Sequence, residues 1–160
     1  KRRYFLYSYR EGSRHRCIDS FLAEIQQTSN ITYRIYDYDR VDSKTGEKRE
    51  LHTEMALDAI DFEFHDNYKT KYETQINSSN KLVHSPYFKT NIINVSGTIK
   101  KDYSELDSFV IYMCVEGELK VVFKNESLSL KKGETLLLPS VINEFTIEAV
   151  ESKLLEVYIN

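Results

Sequence analysis

The sequence predicts a mostly β protein, its short strands closing into a sandwich or barrel, with one helical segment. Three observations carry that prediction. Twelve Tyr and eight Phe stand against only two Pro, a composition of strands and not of a disordered chain. From Phe88 onward, short apolar and β-branched runs alternate with turn residues at Gly97, Gly117, Asn125 and Gly133. Only one stretch repeats its apolar residues at a helical period. With 160 residues, 41% hydrophobic and 29% charged, the chain is sized for one globular domain, or one and a fraction.

The elements follow in order. Tyr4–Tyr9 reads as a short strand, and Phe21–Gln27 and Ile31–Tyr38 as two more. Arg40–Glu50 is a polar excursion turning at Gly46. Thr53–Phe62 is the helix, with Met55, Ala56, Ala59 and Ile60 on one stripe and Glu54 and Asp58 outside it. Residues 63–82 are polar and read as a long connection, loosest at Asn77–Lys81. Seven strands follow: Asn91–Ile99, Phe109–Val115, Leu119–Lys124, Ser127–Leu130, Thr135–Leu138, Glu144–Ala149 and Lys153–Ile159. No internal repeat or low-complexity segment interrupts them.

Several classes of function are excluded on composition. No apolar run reaches the roughly 20 residues that a membrane-spanning helix needs, so no membrane partner is expected. No secretory leader pattern is present. Two cysteines, Cys17 and Cys114, build no disulfide framework, and a reducing, cytoplasmic setting is the expectation. Cys114, on an apolar strand, reads as a small buried hydrophobe. The net charge of −3 gives no basic field for nucleic acid. The charge is uneven: residues 1–16 hold six basic residues against Glu11 alone, leaving 16 basic and 24 acidic residues elsewhere. A first residue that is Lys and not Met suggests a piece of something longer.

The C-terminal strands carry a more specific pattern. Val115-Glu-Gly-Glu-Leu119 sets a Gly between two strands, and Gly133-Glu-Thr-Leu-Leu-Leu-Pro139 sets five residues between a Gly and a Pro. The pair resembles the two half-motifs of the cupin jelly roll. The metal chemistry of that pattern is missing. It asks for Gly two residues and His five residues after the Pro, where this chain has Val141 and Glu144. It asks for Glu seven residues before the first turn Gly, where this chain has Val110. Without those ligands the jelly roll is expected to be structural and metal-free.

Three further segments are distinctive: Leu22-Ala-Glu-Ile-Gln-Gln-Thr-Ser-Asn-Ile-Thr-Tyr-Arg-Ile-Tyr-Asp-Tyr-Asp-Arg40, Arg49-Glu-Leu-His-Thr-Glu-Met-Ala-Leu-Asp-Ala-Ile60 and Ser85-Pro-Tyr-Phe-Lys-Thr-Asn91. Together they resemble the C-terminal half of the bacterial, zinc-dependent, two-cupin mannose-6-phosphate isomerases, over residues 21–160. The resemblance implies residues 21–82 as the tail of a catalytic cupin plus a helical connection. It implies residues 83–160 as a C-terminal cupin jelly roll without a metal site. The implied activity interconverts mannose 6-phosphate and fructose 6-phosphate by moving a proton between C1 and C2 through a cis-enediol, with one zinc. Such chemistry needs a carboxylate or water as proton carrier and positive charge beside the enediolate. By matching motif, Glu24 takes the first role and Arg34 the second, and Arg40 matches a basic position near the family's pocket rim, within bidentate reach of a substrate phosphate. Read without the motif, Glu24 is the outward residue of a half-buried strand between Ala23 and Ile25, Arg34 is a partner for Asp37, and Arg40 is a solvated loop arginine.

The family strand that precedes Ala23-Glu24 reads like G-D-I-F-F-I-P-T-G-R-V-H-A-I-G, and its His binds zinc. Residues 2–16 do not match it. Back-translated and read one nucleotide later, Arg2 through Arg16 permit that whole string: Tyr4 gives Ile, Ser8 gives Pro, Ser13 gives His. Residues 1–20 are therefore expected to be an aberrant, out-of-frame segment, which also accounts for their basic charge. The family's zinc is held by Gln, His, Glu and a second His; three lie upstream of this chain's matching region and the fourth falls in the shifted strand. His15, His52, His65 and His84, one in that segment, one starting the helix and two in loops, form no replacement set. No bound cofactor is expected here, although zinc is the family's metal. The expectation is a fragment inactive by itself, with self-association through the exposed sheet edges of the cut first cupin. The rival reading is a non-enzymatic cupin domain binding a sugar or sugar phosphate inside the jelly roll, through Tyr112, Lys120 and Glu144.

Overall fold

In the computed structural model, residues 23–26, 33–64, 66 and 71–159 are described. The strand expected at Tyr4–Tyr9, the out-of-frame segment 1–20, Cys17, His15 and His65 lie outside them. The chain divides into two compact units: of the described residues, 33–64 and 66 belong to one, and 23–26 with 71–159 to the other.

The smaller unit holds one helix, α1 (Thr53–Ala59). It is shorter than the expected Thr53–Phe62 because Ile60 already takes an extended conformation. Of the expected stripe, Ala56 is buried at 5% exposure, whereas Met55 and Ile60 stay nearly half exposed. No strand forms at residues 33–38; that run ends in a turn in which Tyr38 and Asp39 take positive φ. Aromatic and β-branched residues favour a strand only where a neighbouring strand supplies the ladder, and none does so among the described residues. The excursion at Arg40–Glu50 closes as expected. Val41 bridges Lys48, the Asp42 carboxylate accepts from the Lys44 and Thr45 amides at 2.8 and 3.1 Å, and Gly46 turns at φ +72.

The larger unit is an antiparallel sheet of six strands: β1 (Asn80–His84), β2 (Lys89–Asp102), β3 (Val110–Phe123), β4 (Glu126–Lys131), β5 (Thr135–Leu138) and β6 (Glu144–Tyr158). Its order is β1-β2-β6-β3-β4, and β5 lies beside β4 along the same edge of β3. β4 and β5 match the expected strands. The larger expected set is merged: two pairs of expected strands are single long ones, β3 and β6. Gly117 and Gly97 do not separate strands. They lie within β3 and β2, where the pairing register shifts.

Those shifts fold the sheet over one core. In β3 the buried residues are Val110, Tyr112 and Cys114 before the shift, then Leu119 and Val121 after it. Even positions point inward on one side and odd positions on the other. β6 makes the opposite change, from Phe145 and Ile147 to Ser152 and Leu154. An unbroken strand alternates faces with period two, so without the irregularity half of each strand would turn its apolar side to water. With it, both halves of β3 and β6 face the cluster that β2 joins without changing parity, through Ile93, Val95 and Ile99; the cluster includes Tyr112, Leu119, Ile147 and Leu154.

β6 spends Val150 and Glu151 opposite the single residue Ser96, and Val150 stands 95% exposed at the apex. This outward loop of β6 presses its backbone against Gly117. A Cβ there would lie 2.5 Å from the Glu151 carbonyl oxygen, and Gly117 has φ +75. Gly97 also has φ +78 but nothing within 4 Å. Gly97→Ala should therefore cost only the left-handed backbone, about 1–2 kcal/mol. Gly117→Ala adds an overpacking cost of about 1–3 kcal/mol. Urea unfolding of both variants is the check, and equal midpoints would contradict the crease geometry.

Candidate functional site

Two polar clusters stand out, one in each unit. In the smaller unit, Asp37 is the hub. Arg49 grips its carboxylate with two hydrogen bonds, from Nε at 2.7 Å and from Nη2, and Arg34 Nε lies 3.8 Å from Oδ1. The Arg49 hydrogen bond, followed by the charges of Arg49, Arg34 and Arg40, holds the Asp37 carboxyl below its ordinary range despite the opposing cost of burial. Arg34 Nη1 also donates to the Glu50 carbonyl at 2.9 Å. The Arg34 main chain is pinned from both sides: its amide donates to His52 Nδ1 at 3.0 Å, and its carbonyl accepts from the His52 amide at 2.7 Å. The guanidinium is thus aimed by Asp37 and the Glu50 carbonyl, on a main chain held twice by His52. Arg40 places its guanidinium 5.6 Å from the centroid of the Tyr38 ring and remains exposed.

Glu24 belongs to the other unit. Its neighbours Ala23 and Ile25 are half-buried while Glu24 and Gln26 are exposed, so the expected alternation is present, although residues 23–26 are not in a strand. Of the three sequence-derived site residues, Arg34 and Arg40 are grouped around Asp37, and Glu24 is described separately. Among the described residues, no three His, Cys, Asp or Glu side chains gather where a metal ion could sit. His52 spends Nδ1 on Arg34, and His84, expected in a loop, is in β1 with Nε2 2.9 Å from Asn91 Oδ1. The described residues do not fit zinc.

The second cluster escaped the sequence reading. Glu156, in the apolar run Leu154-Leu-Glu-Val-Tyr158, is 1% exposed inside the jelly roll. Lys101 Nζ sits 2.7 Å from its Oε1, and Asn91 Nδ2 donates to Oε2 at 2.7 Å. Ser79 Oγ donates to Oε1 at 3.1 Å, Tyr103 hydroxyl donates to the same oxygen, and Tyr103 and Tyr112 share a hydrogen bond. Burial alone raises the Glu156 carboxyl, but the Lys101 charge and these donors outweigh it and bring it below the ordinary 4.5. Burial, then the neighbouring charge, pushes both phenols far up, so they stay protonated donors. The signal available in the sequence was a lone acid in an apolar strand. Its lysine lies 55 positions earlier and opposite Phe145 in the ladder, so only the folded sheet brings the two together.

The same cluster fastens residues 75–80. Asn80 is 3% exposed; its side-chain amide donates to three carbonyls, and its Oδ1 accepts from the Gln75 amide at 3.1 Å. Asn77 exchanges two hydrogen bonds with Ser96, at 2.8 and 2.9 Å. The stretch expected to be loosest is thus tightly bound, because Asn and Ser favour turns and also satisfy buried backbone. A shallow polar hollow of about 630 Å³ lies over residues 71–81, and the polar groups of Ser79 and Asn80 at its wall are already engaged. Of the trio offered for a sugar inside the jelly roll, Tyr112 is indeed interior, but Lys120 and Glu144 are exposed to solvent. Lys120 sits past the β3 register shift, which reverses the inward parity, and Glu144 opens β6.

Comparisons with known proteins agree with this architecture. The family described as mannose-6-phosphate isomerase, cupin domain, matches residues 78–159. The chain is 32% identical to mannose-6-phosphate isomerase ManA of Bacillus subtilis, over 78% of this chain and 39% of that protein. It is 30% identical to the mannose-6-phosphate isomerase of Streptococcus mutans, over 79% of this chain and 40% of the relative. The crystal structure of the mannose 6-phosphate isomerase from Bacillus subtilis superposes with a TM-score of 0.59 at 30% identity, covering 79% of this chain and 40% of that one. The chain therefore spans about two fifths of the length of the curated relatives it matches. The matched spans are too long to fit within residues 78–160, so the likeness extends upstream of the jelly roll.

The buried ion pair makes a sharp prediction. Lys101→Met leaves the Glu156 charge uncompensated, at a cost of about 3–5 kcal/mol at neutral pH. In the native chain Glu156 has a folded pKa below its unfolded one, so its contribution is complete above 4.5 and is lost as pH falls through the lowered value. In Lys101→Met the burial cost dominates and raises the folded pKa, so that variant should become relatively more stable as pH falls toward 4. Chemical denaturation at pH 7 and pH 4 tests this, and a pH-independent difference would contradict the pairing.

Proposed function

The chain belongs to the mannose-6-phosphate isomerase family through its cupin domain, and from that premise we propose that it is the C-terminal part of an enzyme that interconverts mannose 6-phosphate and fructose 6-phosphate. The observation that carries this reading is the likeness to named isomerases extending from the jelly roll into the upstream segment that holds the arginine cluster. In this reading residues 21–82 are the tail of the catalytic cupin, and residues 83–160 are the metal-free jelly roll that supports it.

The reaction moves a proton between C1 and C2 of the sugar. Glu24, exposed between two half-buried neighbours, supplies the carboxylate that carries the proton or orders the water that does. Arg34 supplies fixed positive charge beside the developing enediolate. Its anchoring by Asp37, Glu50 and His52 suits that role, because a charge already held in place needs no reorganisation as the reaction proceeds. Arg40, exposed on the same cluster, meets the phosphate. Zinc is the metal the family resemblance implies, and where bound it would supply Lewis-acid polarisation of the sugar oxygens. Among the described residues no group of side chains fits it.

The 160 residues alone are therefore inactive, because the metal-binding part of the site is supplied by sequence they do not contain. Residues 1–20 are read out of frame with the strand that would bring the last zinc-binding His. Purified as it stands, the chain should bind well under one equivalent of zinc by elemental analysis and show no turnover in a coupled isomerase assay. Stoichiometric zinc together with turnover would overturn the proposal. Sequencing the DNA across codons 1–20 tests the frame reading separately: codons that cannot spell G-D-I-F-F-I-P-T-G-R-V-H one nucleotide later would remove it.

A further inference from the structure

We propose that His52 is the positioning residue of Arg34: the neutral imidazole holds Arg34 in place, and protonation of the ring at Nδ1 releases it. The inference rests on the reading of Arg34 as the fixed charge beside the enediolate, and deepens it.

The hydrogen bond between the two residues defines the state of the ring. The Arg34 amide donates to His52 Nδ1 at 3.0 Å. An N–H needs a lone pair to point at, so Nδ1 carries no hydrogen and the neutral ring keeps its own on Nε2. His52 stands at the N-cap of α1, yet its side chain makes no hydrogen bond to the helix. A capping side chain ordinarily spends itself on the amides of the first turn. This one serves a residue 18 positions earlier, and the His52 amide donates to the Arg34 carbonyl at 2.7 Å. Both main-chain polar groups of Arg34 are thus held by one residue.

Acid removes the acceptor. A second proton on the ring goes to Nδ1 and makes it a donor facing the Arg34 N–H. Among the described residues, the titratable groups against the ring are Glu50, with Oε2 3.9 Å from Nε2, and Tyr33, edge-on with centroids 6.5 Å apart. A charged ring therefore loses Arg34 and has the exposed Glu50 carboxylate as its counter-ion. Arg34 stabilises a developing anion only as far as its charge is already placed, and that placement depends on the neutral ring.

NMR of the full 160-residue chain tests this without zinc or substrate. At pH 8 the ring nitrogens should report hydrogen on Nε2 and none on Nδ1. Between pH 8 and pH 5 the protection of the Arg34 amide, corrected for intrinsic exchange, should fall about fivefold, the factor one net hydrogen bond supplies. Over the same range the separate Nη signals of a held Arg34 guanidinium should merge. Asp37 stays ionised throughout, because its carboxyl is held below its ordinary range, so its titration does not produce the change. His52→Asn offers an amide oxygen in place of Nδ1 and does not titrate; it should keep Arg34 protected at both pH values, whereas His52→Ala should leave it unprotected at both. Hydrogen on Nδ1 at pH 8, or Arg34 signals indifferent to pH in the native chain, overturns the proposal. So does a folded His52→Asn variant that still responds to pH or leaves Arg34 unprotected. If that variant does not fold, the ring nitrogens and the native pH series decide. No isomerase activity enters these readings, so failure of the His52–Arg34 link and failure of the isomerase reading are told apart.

Discussion

Everything in the larger unit depends on the place where two long strands, β3 and β6, change their alternation beside β2, which keeps its own. A strand of 14 or 15 residues, as β2, β3 and β6 are, presents two faces. A sheet built from three of them would bury one face only if something packed on it. Here the register shifts near Gly97, Gly117 and Val150 let the sheet close on itself. The close approach of Gly117 to the Glu151 carbonyl is the tightest point of that arrangement. Side-chain size at residue 117 is thereby coupled to the burial of Leu119 and Val121 beyond it, as much as to Cys114 before it.

The closed interior contains a filled polar centre. In a metal-binding barrel the central positive charge is an ion. In this one, the only cation bound to the central carboxylate among the described residues is the Lys101 ammonium, with Asn91, Ser79 and Tyr103 completing its hydrogen bonds. A buried acid is tolerated when its charge is paired and its lone pairs are used, and Glu156 meets both conditions. The centre also ties residues 75–80 to β2 and β6, so the entry to the jelly roll is fastened from within.

The arginine cluster follows the opposite logic. Asp37, Arg34, Arg40 and Arg49 lie at the surface of the smaller unit and hold more positive than negative charge. A surface ion pair contributes little to stability, so three partner residues spent on Arg34 are better understood as orientation. The same unit also exposes the apolar side chains of Ile35, Val41 and Leu57.

Composition and spacing were enough to establish a mostly β chain, the positions of β4 and β5, a helix near Thr53, the hairpin at Gly46, the burial of Cys114 and the family. Each depends on local chemistry: turn residues, period-two and helical patterns, and contiguous motifs. The pairing of Arg34 with Asp37 was also local enough to be anticipated. Tertiary structure decided what depends on distant partners. It merged strands across Gly117 in β3 and across residues 150–152 in β6, because a positive-φ glycine serves a turn and an in-strand irregularity alike. It left residues 33–38 without a strand, because propensity does not supply a ladder partner. It drew Lys101 to Glu156 and turned the polar stretch 75–80 into a clamp, because the ladder sets Lys101 opposite Phe145 and Glu156 opposite Asn91, and only the folding of the sheet over its interior brings the two side chains together.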